Sequence, residues 1–153
     1  MIYSFIRSAL FLALLHGTAQ GQSQSMNLVI VIDEELRSGS LMNMELSNPQ
    51  QRGDAISVGY VPGELTVQSL SSIEGDSLYL SFDYYSNDDR KGGARRFVVP
   101  FPRKYFEWEY VVLRLYDLRK RKYRKQFEPY KPGAEFTFEI DYPGGQVLRI
   151  RKN

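Results

Sequence analysis

The chain has 153 residues, 20 of them basic and 18 acidic, for a formal net charge of +2, and it contains no cysteine. Its one histidine, His16, falls in the first 21 residues, so the rest of the chain has neither imidazole nor thiol. These absences exclude a Ser-His-Asp triad, a cysteine nucleophile, disulfides, and zinc or copper held through nitrogen and sulfur.

Arg7 precedes an apolar run over residues 8–15, followed by small residues up to Gly21. That is the pattern of a secretory signal peptide, cut after Ala19 or Gly21. The run is shorter than the roughly 20 residues a bilayer span requires, so no transmembrane segment is expected in the mature chain. Lacking both cysteine and any Asn-x-Ser/Thr acceptor, the exported chain is expected in a bacterial periplasm or outside the cell. Residues 22–26 read as a flexible leader, and residues 27–153 as a single domain.

Residues 27–33 form an apolar strand ended by Glu34 and Glu35. Residues 41–46 and 55–61 follow as strands, with Pro62-Gly63 turning the second back onto residues 64–67. In residues 77–85, Leu78, Leu80, Phe82 and Tyr84 alternate with Ser77, Tyr79, Ser81 and Asp83, as in a half-buried strand. A loop over residues 86–93 leads into a strand over 95–101.

Residues 106–117 hold the only tryptophan and read as the central strand. Phe106, Trp108, Tyr110 and Val112 share one parity, whereas Val111, Leu113 and Leu115 share the other. One buried face cannot hide both sets, so a bulge near Tyr110 is expected to shift the phase, with Trp108 interior. Residues 118–121 are then a turn and 122–127 a returning strand. In the last hairpin Phe136, Phe138 and Ile140 face the core together with Leu148 and Ile150. A three-residue loop over 143–145, with Gly145 left-handed, places Ile140 opposite Leu148 and Glu139 opposite Arg149.

Eight or nine short strands without an amphipathic helix predict an all-β fold, a single antiparallel β-sandwich in the immunoglobulin-like or transthyretin-like style. A barrel is the alternative.

Charge is unevenly spread. Residues 22–89 carry 2 basic and 11 acidic side chains, whereas residues 90–153 carry 17 and 7. The basic hairpin Arg119, Lys120, Arg121, Lys122, Arg124 and Lys125, joined by Arg95 and Arg96 and by Arg103 and Lys104, is the predicted docking surface. An acidic protein surface, an anionic polysaccharide or a second copy of the chain would suit it; nucleic acid would not. The same charge also serves to guard an edge strand against pairing. Tyr79, Tyr85 and Trp108 are the candidate platform for stacking sugars, though aromatic rings equally pack between sheets. Asp33-Glu34-Glu35 and Asp88-Asp89 could bind calcium or cleave glycosides, but neither follows a calcium-loop spacing. No Ser-x-x-Lys occurs. The expected function is therefore a non-enzymatic interaction module needing no cofactor or metal, with carbohydrate binding as the alternative and a carboxylate-only glycosidase third.

Overall fold

The computed structural model describes residues 23–37, 40–50, 55–85, 93–149 and 151–152. The predicted signal peptide, Asp88, Asp89 and Ile150 lie outside the described residues.

The strands in chain order are β1 (Gln24–Met26), β2 (Leu28–Ile32), β3 (Glu35–Leu36), β4 (Leu41–Ser47), β5 (Ile56–Val61), β6 (Glu64–Val67), β7 (Tyr79–Tyr85), β8 (Ala94–Pro100) and β9 (Val111–Asp117). A six-residue helix, α1 (Arg121–Gln126), precedes β10 (Phe136–Tyr142) and β11 (Gly145–Val147). Six strands form one sheet in the order β1-β6-β5-β4-β7-β8, and five form the other in the order β11-β10-β9-β2-β3. The chain is an all-β sandwich, and neither sheet closes into a barrel. The strand count exceeds the expected eight or nine because β1, β3 and β11 are only two or three residues long.

The core lies where the inner faces of the two sheets meet. Strict alternation puts Leu28, Ile30 and Ile32 of β2 inside, with Leu80, Phe82 and Tyr84 of β7 and Val111, Leu113 and Leu115 of β9. Phe97 of β8 meets Phe136 of β10 edge to face, with centroids 5.0 Å apart, which joins the two sheets.

Several local expectations are corrected. The pairing is antiparallel except between β2 and β9, which run parallel in register Leu28↔Val111 to Ile32↔Leu115. Residues 24–26 of the expected leader are β1, paired with β6 from Gln24↔Val67 to Met26↔Leu65. The phase conflict near Tyr110 needs no bulge there. Arg103–Glu107 is a 3₁₀ turn, and β9 begins only at Val111, so Phe106 and Val111 are buried by different elements. A bulge does occur in β4, between Met42 and Glu45, where Asn43 has a φ of 49°. It turns Met42 outward, to 52 % exposure, while Met44 and Leu46 stay buried.

The last hairpin is also tighter than expected. Tyr142 pairs with Gly145 and Ile140 with Val147, so Pro143-Gly144 is a two-residue turn. Pro143 presets its own φ, and Gly144 supplies the φ of 82° that a type II turn places after proline. Gly145 is needed for space instead, since a Cβ there would lie 2.7 Å from the Tyr142 ring. Leu148, expected in the core, is 64 % exposed.

Candidate functional site

β9 ends at Asp117, and the segment with the densest positive charge follows it. No basic hairpin exists: Arg121–Gln126 is α1, not the expected returning strand. A helix this short is not stable on its own, and α1 has no side-chain cap at Lys120. Tyr123 and Phe127 hold it instead. They are spaced i and i+4, so they share one helix face, and both are buried against Tyr116 and Leu118. Ring centroids lie 5.2 Å apart for Tyr116–Tyr123 and 5.5 Å for Tyr116–Phe127. The Arg149 guanidinium closes this cluster, 3.7 Å from the Phe127 ring and 4.0 Å from Tyr116, while pairing with Glu139. The expected Glu139–Arg149 contact therefore forms, although the β10–β11 register, with Ile140 facing Val147, is one residue off the one that would set the two directly opposite.

With Tyr123 and Phe127 inward, the rest of the helix has to face water. At roughly 100° per residue, Arg121 and Lys125 point directly away from that anchor and Arg124 stands to one side; all three are exposed.

The neighbouring cations are held by acids from elsewhere in the chain. The turn after β2 places Asp33 and Glu34 in left-handed conformations, φ 54° and 72°. From there Asp33 accepts the Asp117 backbone N–H at 2.9 Å and pairs with Lys120 Nζ at 2.8 Å, and Glu34 pairs with Lys122 Nζ at 2.5 Å. The hydrogen bond to Glu34 raises the Lys122 pKa above its ordinary value. Asp117, almost fully buried, pairs with Arg95 of the facing sheet and accepts from the N–H and Nε of Arg119 at 3.0 and 3.3 Å. Arg96 donates to Glu45 at 2.6 Å and to Ser81 at 2.8 Å, on an outer face. The Arg103 guanidinium binds the carbonyls of Leu70, Ile73 and Gly75. Lys104 lies over the Trp108 ring at 5.7 Å.

The predicted patch therefore divides. Arg95, Arg96, Arg119, Lys120 and Lys122 are occupied inside the molecule. Arg121, Arg124 and Lys125 have no carboxylate partner among the described residues. The structure adds Arg151, which sequence reading overlooked. It is exposed and bridges Phe127 through the backbone, and the next N–H, of Lys152, donates to the Gln126 carbonyl at 2.9 Å. Two chain segments thus bring cations to one cleft of about 470 Å³, lined by Glu34, Lys125, Arg149, Arg151 and Lys152 among others. The only hint in the sequence was the alternation of Arg149 and Arg151 near the C-terminus.

The candidate sugar platform is not assembled. Tyr85 faces Ala94 at the end of β7 nearest Arg95, whereas Tyr79 faces Pro100 at the other end. Trp108 is half-buried rather than interior. Its ring stacks on Tyr105 at 4.5 Å and on Tyr142 at 4.0 Å, which covers π-surface a sugar would need. Among the described residues no three His, Cys, Asp or Glu side chains converge as metal ligands, and no helix is long and apolar enough to cross a membrane. No family model, curated protein or solved structure matches the chain.

Proposed function

We propose that this chain is a non-enzymatic interaction module of the bacterial envelope, which offers the outer face of α1 and the adjoining C-terminal segment to an acidic protein partner. The observation that carries the reading is the contrast within one basic run. Lys120 and Lys122 are matched by Asp33 and Glu34, while Arg121, Arg124, Lys125 and Arg151 are exposed and pair with no carboxylate among the described residues. Like charges on neighbouring helical positions repel one another, and a carboxylate-rich surface would relieve this, with arginine forks gripping each carboxylate at two points. The N-terminal pattern of residues 1–21 supports the export part of the reading.

Calorimetric titration with polyglutamate tests it. Affinity is expected to fall steeply between low and physiological salt, since exposed charges are screened beyond a Debye length of about 8–10 Å. The triple variant Arg121→Ser, Arg124→Ser, Lys125→Ser is expected to bind at least about tenfold more weakly, a loss of about 1.4 kcal/mol. Salt-independent binding, or a triple variant that binds like the wild type, overturns the proposal.

A further inference from the structure

The end of the sandwich opposite α1 carries an unmatched charge of the other sign. β2 and β9 run parallel, so their starts, Leu28 and Val111, lie together at one end, and Asp33 and Asp117 lie together at the other. Around the starting end stand Glu64, Asp76, Glu107 and Glu109. All four are exposed, and their carboxylates have no basic partner among the described residues. Glu64 and Glu109 line one open cleft of about 490 Å³ with Asn27 and Trp108. Glu107 closes the 3₁₀ turn, and the Asp76 carbonyl accepts the Arg103 N–H at 2.9 Å at the start of that turn. The cations nearby in sequence are Arg103, whose guanidinium is occupied by three carbonyls, and Lys104, which lies over Trp108. Acid therefore predominates at this end, as base does at the other.

The two ends are separated by the length of β9, seven residues or about 20 Å. That exceeds the Debye length of about 8–10 Å at physiological salt, so neither end neutralises the other within one molecule. A second molecule in line with the first would bring them into contact.

We propose that the acidic partner of the α1 face is a second copy of this chain, docked head to tail through the end formed by Glu64, Asp76, Glu107 and Glu109. This rests on the reading of the α1 face given above and names its partner. Two different surfaces at opposite ends make the contact heterologous, so it propagates as a row of molecules instead of closing into a two-fold dimer.

Sedimentation velocity on the whole protein, with two neutralising variants, tests it. One variant is Arg121→Ser with Lys125→Ser; the other is Glu107→Gln with Glu109→Gln. All four positions are exposed, so folding is expected to be kept, as circular dichroism would verify. At low salt the wild type is expected to grow beyond a dimer as concentration rises and to revert to monomer as salt is added. Each variant alone is expected to stay monomeric at concentrations about tenfold above the wild-type transition. An equimolar mixture still has one intact end of each kind, so it is expected to stop at the dimer. A wild type that stays monomeric at low salt, an acid-end variant that assembles like the wild type, or a mixture that grows past the dimer overturns the proposal. A wild type that stays monomeric but binds polyglutamate overturns the self-docking alone. A wild type that stays monomeric and does not bind polyglutamate overturns the α1 face as well.

Discussion

Leu28, Ile30, Phe82 and Leu113 are sealed between two sheets, with 0 % exposure. Tyr116, Leu118, Tyr123 and Phe127 are also buried, at 3–7 % exposure, but protected differently, by a six-residue helix and one arginine above the end of β9. The first region is built from residues that alternate along long ladders, so each side chain is supported by neighbours on both sheets. The second rests on few contacts, made by one short helix and the Arg149 guanidinium. Burial alone therefore does not measure how firmly a segment is held. The number of independent elements closing over it does, and the candidate docking face belongs to the less firmly held region.

The largest effect expected from breaking this contrast is in the sheet core. Phe82→Ala should cost about 3–5 kcal/mol, a large share of the stability of an ordinary domain, read as a fall in the urea midpoint. A shift of less than about 1 kcal/mol would show that the two regions do not differ as described. Tyr123→Ala should act locally. Amides of residues 121–127 should exchange at loop rates while those of β7 and β9 stay protected, and the loss of global stability should be smaller than for Phe82→Ala. Equal loss of protection throughout would mean that α1 unfolds only with the whole domain.

The smallest effect is a difference at alkaline pH. Burial raises the pKa of Tyr60 and Tyr105 in the main core and of Tyr116 and Tyr123 under α1. The unfolded chain then ionises these hydroxyls first, near pH 10. Their contribution is complete below that point and is lost as pH rises through the folded values. Stability should thus be level up to about pH 10 and fall above it. Tyr123→Phe should make that fall shallower, as urea unfolding across the alkaline range would report; an unchanged slope would remove Tyr123 from the account.

The sandwich was legible because period-two alternation leaves an unambiguous trace in residues 28–32, 79–85 and 136–140. The segment that carries the candidate site was misread because its apolar pair is ambiguous. Tyr123 and Phe127 are four apart, a spacing that shares a face in a strand as well as in a helix. Lys125 could have decided it, since a strand would turn that ammonium inward beside the two rings, whereas a helix points it at water. Residues 106–110 mislead for another reason: their aromatic density suggests a strand, although Pro100 and Pro102 stand just upstream. The acid partners Asp33 and Glu34 were out of reach of local patterns, because their match to Lys120 and Lys122 depends on β2 lying beside β9.

That parallel pairing also bears on how the molecule assembles. Leu28 and Val111 are about 80 positions apart in sequence, and joining ends so distant costs about 4 kcal/mol in chain entropy before any contact between them compensates. Apart from β1–β6 and β4–β7, the other ladders link consecutive strands and can zip up soon after they are made. The early strand of the five-membered sheet has only two-residue β3 to hold until the last third of the polypeptide arrives, so the molecule closes late and as a unit. The turn bearing Asp33 and Glu34 reaches its lysines in that same closing event, which sets the charge pattern of the α1 face only once the sandwich is complete.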